Sequence, residues 1–334
     1  MTETAKTPVV PREFLDFINS GSKFIIAGHK EPDGDCVGSQ LALASVLRRM
    51  GKEATACSAG PFKRLEIKPY ERFFTPIDTA SDLADFRVII VDCSEGERLG
   101  DLEPLLKGLP SMAIDHHDSA ALSAMLSGYI DADSFSTTCL IFNTIIALEL
   151  QPTKEEAELL FLGLCTDTGF FRHVDADGGR VFQIASELVR YGANPKTAFA
   201  AMNGGKSLDS RRLIGQILLR AESLFDGRLI LSWEEYAETQ NYGHDGRDSD
   251  MLYQLLQSVA GVEAIVIIRQ ESAGNCTVGF RSRDRVDVGC IAQAFGGGGH
   301  KNAAGLYIAG SIKELKPKII NAFEKVFLDP AQKQ

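Results

Sequence analysis

Histidine and aspartate are concentrated in four short stretches of the chain. These are His29-x-x-x-Asp33-x-Asp35, Asp92, the triplet Asp115-His116-His117, and Asp167 in Cys-Thr-Asp-Thr-Gly. Imidazole nitrogens mixed with carboxylate oxygens suit a divalent first-row cation such as Mn2+, since structural zinc usually draws thiolates and Mg2+ tends toward all-oxygen shells. Two such cations side by side would clamp a phosphoryl group, acidify a bound water and steady the attacking and leaving oxygens of an in-line displacement. Taken singly, each stretch has a simpler reading: Asp33-Gly34 is an ordinary turn pair, Asp35 could cap a helix, and an aspartate after a buried strand is common. Taken together, carboxylates and histidines packed in one place repel and desolvate each other unless cations lie between them.

The elements that would position these side chains can be read from the apolar pattern. Lys23–Gly28 (KFIIAG) and Arg87–Val91 (RVIIV) run straight into His29 and Asp92, and residues 111–114 (SMAI) run into Asp115. Continuous rather than alternating apolar runs, separated by helix-length sequence, predict a parallel sheet covered on both faces. In such a sheet the carboxyl ends of neighbouring strands open on one crevice, so the three stretches should meet there. Residues 38–50 read as a helix stopped by Gly51, and residues 136–150, 154–164 and 181–191 as further helices, with Asp167 following the second of these three.

Beyond about residue 195 the texture changes. Residues 228–233, 262–269 and 276–281 are strand-like, residues 249–260 and 286–295 helix-like, and Asn203-Gly204-Gly205 with the charged SLDSRR segment reads as a connection. The expected organisation is an α/β protein: residues 1–195 form a parallel-sheet catalytic domain, 196–222 a linker, and 223–330 a smaller α/β domain. At ~150 residues per domain, 334 residues are enough for two.

Composition narrows the partners. With 35 Lys and Arg against 45 Asp and Glu, the formal charge of -10 provides no molecule-wide positive field for long nucleic acid, so any phosphate grip must be local. There is no basic n-region before an apolar core, and no apolar stretch approaches the ~18 residues of a membrane span, so the chain reads as cytoplasmic and without membrane contact. Seven cysteines without a CxxC read as small buried hydrophobes rather than disulfides, and none has a dedicated base beside it.

The four ligand stretches, in this order and spacing, resemble the successive motifs of the DHH phosphoesterase superfamily. Phe280-Arg281-Ser282, followed by Gly296-Gly297-Gly298-Gly299-His300-Lys301-Asn302-Ala303-Ala304-Gly305, resembles its companion C-terminal domain, DHHA1. The whole is most similar to the compact branch of nanoRNases that also act as pAp phosphatases. The resemblance implies a dinuclear Mn2+ site, with Mg2+ or Co2+ as substitutes, in a cleft between the domains. It places His29, Asp33 and Asp92 on one ion and Asp35, Asp92, His116 and Asp167 on the other, with Asp92 bridging. Asp115 would orient the neighbouring histidines, and His117 would donate a hydrogen bond near the scissile phosphate. Arg281, Ser282, Gly297, Gly298, Gly299 and His300 would contact the substrate, a short RNA oligonucleotide or a mononucleotide bisphosphate; a homodimer is compatible with the family.

The residues of the second domain support a local phosphate grip. Consecutive glycines bring backbone N–H groups close to an anion because no Cβ blocks the approach, and Arg281 adds a planar fork. A flexible linker would not lead at once through His-Lys-Asn-Ala-Ala-Gly into a strand. Arg283 and Arg285, offset by Asp284 and Asp287, read as solvated, His244 as a loop residue, and the single Trp233 as packed rather than base-stacking; Arg172 and His173 either line the cleft or stay exposed. Rival readings are a soluble cyclic- or linear-dinucleotide phosphodiesterase of the same superfamily, an inorganic pyrophosphatase, disfavoured by the glycine segment, a RecJ-like exonuclease, disfavoured by length, and a nucleotide-binding sensor that lost its chemistry.

Overall fold

A computed structural model describes residues 9–78, 82–117, 127–243, 247–283 and 285–328. His244 and Asp284 lie outside the described residues. The chain divides into two compact units, Met1–Gly205 and Lys206–Gln334. No helix among the described residues is long and apolar enough to cross a membrane.

The first unit begins with α1 (Arg12–Ser20), β1 (Lys23–Gly28), α2 (Gly34–Arg49) and β2 (Glu53–Cys57), and continues with β3 (Arg87–Val91), the short α3 (Glu103–Leu106), β4 (Ser111–Asp115) and β5 (Gly128–Ile130). It closes with α4 (Thr137–Ala147), α5 (Lys154–Asp167), α6 (Gly179–Arg190) and α7 (Pro195–Asn203). Its sheet has the order β2-β1-β3-β4-β5 with every pair parallel. β1 is buried on both faces: Phe24 and Ile26 enter one apolar layer, Ile25 and Ala27 the other. That explains why its sequence is a continuous apolar run. β2 lies on one side of β1 and β3 on the other, so the order in which strands are added reverses at β1, and the carboxyl ends of β1, β3 and β4 border one crevice.

The helices that bring in the remaining ligands are fixed by caps and by close approach. Asp33, rather than Asp35, caps α2, accepting from the Asp35 and Cys36 amides at 3.1 Å. Thr153 and Glu156 form a capping box on α5, and the buried Glu156 carboxylate also accepts from Ser45 Oγ (2.7 Å) and Arg49 on α2. Gly38 lets α2 press against α5, since a Cβ there would stand 2.5 Å from the Leu159 carbonyl oxygen. Gly163 on α5 plays the same part, since a Cβ would stand 3.0 Å from Asp35 Cα.

The second unit comprises α8 (Leu208–Leu219), β6 (Glu222–Leu224), β7 (Leu229–Glu234), α9 (Tyr236–Tyr242), α10 (Ser249–Gln257), β8 (Ala264–Ser272) and β9 (Asn275–Ser282). It ends with α11 (Val288–Ala294), β10 (Gly298–His300), β11 (Ala303–Ala309) and α12 (Ile312–Leu328). The sheet order is β10-β11-β9-β8-β7-β6, antiparallel except for β7 with β8. Cys276, Val278 and Phe280 of β9 pack with α11 and α12 on one face. Ile265 and Ile267 of β8 pack with α8 and α10 on the other.

One expectation needs correction. Residues 196–222 are not a linker but hold most of α7 and all of α8. Asn194 and Ser207 cap these helices, and Leu213, Ile214 and Ile217 bury one face of α8; polar caps beside Gly204-Gly205 had the look of loop. Within the glycine segment, Gly298–His300 pairs as an edge strand with Ala303–Gly305 of β11.

Candidate metal centre

The crevice gathers the ligand-type residues around Asp92. Asp92 follows β3 with a left-handed φ of 60° while its amide continues the sheet by donating to the Ile114 carbonyl at 3.0 Å. Backbone strain of this kind costs ~1–3 kcal/mol and persists where the surroundings fix it. His29 Nε2 lies 3.3 Å from Asp92 Oδ2 and 3.9 Å from Asp33 Oδ1. His116 Nε2 lies 3.0 Å from Asp167, 3.6 Å from Asp92 and 3.9 Å from Asp35. In both rings Nδ1 faces a backbone carbonyl, Lys30 at 2.9 Å and Ser134 at 3.2 Å, which turns Nε2 toward the carboxylates.

Among the described residues, three overlapping groups have donor atoms within 4.8 Å of one another: His29, Cys36 and Asp92; Asp92, His116 and His117; and Asp35, His116 and Asp167. Asp33 is replaced by Cys36 in the first of these. Burial pushes the Cys36 thiol up to about 12, however, so it remains a neutral neighbour of the ring at neutral pH.

The electrostatics describe a site short of positive charge. Burial first, then the charges of Asp92 and Asp167, drive the Asp35 carboxyl well above the ordinary carboxylate value. Burial and the charges of Asp92 and Asp33 also raise Asp167, although His116 opposes them. For the imidazoles, burial disfavours the charged form but the facing carboxylates outweigh it. His116 is carried up to about 10 and His29 well above its usual value. Buried carboxylates that resist ionisation, beside imidazoles that hold on to protons, are the donor set a divalent cation would relieve.

Several partners of this cluster were not legible as site residues. The Thr137 and Thr138 amides, at the start of α4, donate to the Asp35 carboxylate at 2.6 and 2.9 Å, and Thr137 Oγ1 donates to Asp92 Oδ1 at 3.1 Å. The Ser-Thr-Thr run before an apolar helix is a cap signature, and that signal could have pointed to a helix start aimed at an anionic group. Ser94 Oγ donates to Asp115 Oδ2 at 2.6 Å, and Asp115 Oδ1 meets His117 Nδ1 at 2.8 Å. Asp115 is held below its usual value because His117 and Ser94 outweigh its burial.

In the second unit, directly paired residues share a sheet face. Arg281, Ala303 and His300 form one cross-strand row, and Gly279, Gly305 and Gly298 the next. Arg281 and His300 therefore flank a small alanine beside a floor of glycine. A Cβ at Gly298 would meet nothing within 4 Å, and one at Gly305 only the Val278 carbonyl oxygen at 3.4 Å, so this part of the face is open. Gly299 pairs with Ala304 in an intervening row, and a Cβ on Gly297 would strike Leu306.

Ser282 is not on this face. It is buried, and its hydroxyl is committed to the Val286 carbonyl at 2.7 Å, bracing the turn after β9. Arg283 and Arg285 are exposed, and Trp233 packs in the second unit with Lys316 over its ring. Arg172 and His173 are exposed beside Gly169. Six cysteines are buried and free, and Cys290 is exposed.

Comparison with known proteins shows the family. The DHH family, N-terminal domain, matches residues 23–164, and the DHHA1 domain matches residues 234–329. A bifunctional oligoribonuclease and PAP phosphatase, NrnA of Thermus thermophilus, is 30% identical over 286 residues, spanning 85% of this chain and 84% of that protein. The cyclic-di-AMP phosphodiesterase GdpP of Bacillus subtilis is 27% identical over 96% of this chain, but only 50% of its own length is covered. Among solved structures, an exopolyphosphatase-related protein from Bacteroides fragilis superposes with a TM-score of 0.81 at 22% identity, covering 98% of this chain and all of that one, which establishes a common fold.

Proposed function

Because this chain belongs to the DHH phosphoesterase family, with a DHHA1 domain behind the DHH domain, we propose that it is a manganese-dependent hydrolase of short oligoribonucleotides and of nucleoside 3',5'-bisphosphates such as pAp. The observation that carries this reading is the convergence of His29, Asp35, His116 and Asp167 on Asp92 at the carboxyl ends of three parallel strands. The Thermus relative, which matches over 85% of this chain and 84% of its own length, is named for both activities.

His29, Asp33 and Asp92 would hold one cation, and Asp35, Asp92, His116 and Asp167 the second, with Asp92 shared. A bound cation pair supplies an acidified water and neutralises charge on the phosphoryl oxygens. The chain's own residues do the rest. Thr137 and the α4 amides fix the Asp92 and Asp35 carboxylates in place. Asp115 accepts from His117 Nδ1, and that partly exposed ring, when protonated on both nitrogens, donates from Nε2 to a substrate phosphate. Arg281 and His300, on one open sheet face, grip the substrate's terminal phosphate, with Gly298 and Gly305 leaving room for the nucleoside.

A second reading, a phosphodiesterase of cyclic or linear dinucleotides, draws support from the similarity to the Bacillus phosphodiesterase over almost the whole chain. The test compares initial rates on an RNA dinucleotide, pAp, a cyclic dinucleotide, its linear product and pyrophosphate, each with Mn2+, Mg2+ or Co2+. The RNA dinucleotide and pAp should be the fastest substrates, and Mn2+ the best cation. Preferred turnover of the cyclic dinucleotide would replace the first reading with the second.

A further inference from the structure

Arg281 differs from the carboxylate-paired arginines of its unit and resembles Arg228, whose guanidinium likewise lies over a ring, that of Phe327, at 4.4 Å. Arg211 is paired with Asp248, Arg220 with Glu238, Arg247 with Glu234 and Glu271, and Arg269 with Glu234. Among the described residues no carboxylate pairs with Arg281. Its Nη1 donates to its neighbour's backbone, the Phe280 carbonyl at 2.9 Å, and its guanidinium carbon lies 4.7 Å from the centre of the Tyr253 ring. A guanidinium seated on an aromatic face keeps its full charge while losing freedom of direction.

The seat is built deliberately into β9. Tyr253 comes from α10 and is 5% exposed. Its ring enters the sheet face at Gly279, where a Cβ would collide with the tyrosine oxygen. Glycine inside a strand weakens it and often marks the close approach of another group. Gly279 and Arg281 are two residues apart on one strand and so share a face, which puts the ring beneath the guanidinium with its oxygen in the notch. The Tyr253 hydroxyl lies at the Gly279 backbone, toward Arg269, without a well-formed hydrogen bond among the described residues.

We propose that Tyr253 is a positioning residue: its ring, seated in the Gly279 notch, holds the Arg281 guanidinium in the one direction from which it can meet a substrate phosphate on the face it shares with His300. This rests on the reading of Arg281 as a phosphate grip, and the test separates the two. The full-length protein is assayed with Mn2+ and pAp. Arg281→Ala should raise KM by about tenfold or more with little change in kcat, the size expected for one charge-assisted contact. Tyr253→Leu should raise KM by ~5- to 20-fold, also with kcat little changed, and should add nothing further in the Arg281→Ala background.

Tyr253→Phe, which keeps the ring, should restore the wild-type KM. Gly279→Ala should raise KM by expelling the ring, and the double substitution Gly279→Ala with Tyr253→Phe should restore it, because the next ring atom, Cζ, stands 3.4 Å from the added methyl. If Arg281→Ala leaves KM unchanged, the grip itself is misassigned. If Arg281→Ala raises KM but Tyr253→Leu does not, or if the two effects simply multiply in the double variant, the positioning role is overturned. Should Tyr253→Leu fail to fold, the Gly279→Ala variant and its rescue decide the matter, and a KM still raised in the double variant overturns the proposal.

Discussion

An imidazole that ligates a cation must give up the proton on its ligating nitrogen. Burial works against a charged His116, but Asp167, Asp35 and Asp92 outweigh it and carry the ring up to about 10, so at neutral pH the metal-free ring holds that proton. Asp35 and Asp167, raised chiefly by burial, also retain protons to higher pH than ordinary carboxylates. Cation binding displaces these protons, so Mn2+ affinity should climb as pH is raised from 6 to 8, by ~10-fold per unit for each proton released. Calorimetry in two buffers of different ionisation enthalpy would show net proton release; no release, or uptake, would contradict the electrostatic description. Which residues form the cluster was legible because their types announce metal chemistry. Thr137 and Ser94 were not, because a hydroxyl gains meaning only from the carboxylate it faces in three dimensions.

The ligands are only as well placed as the elements that carry them. Asp35 rides on α2 and Asp167 on the last turn of α5, and these helices approach closely through Gly38 and Gly163. Gly38→Val would push a side chain against the Leu159 carbonyl, costing ~1–3 kcal/mol as overpacking does. It should also weaken Mn2+ binding, because the two carboxylates move apart with their helices. Urea unfolding together with a Mn2+ titration checks both effects, and an unchanged midpoint would show that the helices do not need this contact. Strands buried on both faces, such as β1, β3 and β4, could be read directly from their apolar runs. β10 could not, because three residues of glycine and histidine have no strand propensity of their own and pair only because β11 lies beside them. α7 and α8 escaped for the opposite reason, their polar caps resembling loop more than their interiors resembled helix.

Over the whole molecule, the formal charge of -10 bears on what length of substrate is used. A nuclease of long strands gains affinity from every phosphate that releases counterions, but here each phosphate beyond the local grip meets a surface with no net positive field. Turnover should be best for about two to five nucleotides and decline for longer RNA, with a shallow dependence on salt. Rates that rise out to ~20 nucleotides, with steep loss of binding in salt, would reveal an extended basic channel instead. This expectation rests on composition alone, whereas the open face formed by Arg281, His300 and the paired glycines required the register of three strands. Everything proposed for the chain depends on the carboxylate at the centre of the first unit. The most direct measurement is the Mn2+-dependent rate of RNA-dinucleotide hydrolysis by Asp92→Asn beside the wild type, with circular dichroism verifying the fold. The rate should fall by at least ~100-fold in a folded protein, the loss usual for a well-placed electrostatic group; a near wild-type rate would mean that Asp92 is not the shared ligand and that the centre described here is not where the phosphate is cleaved.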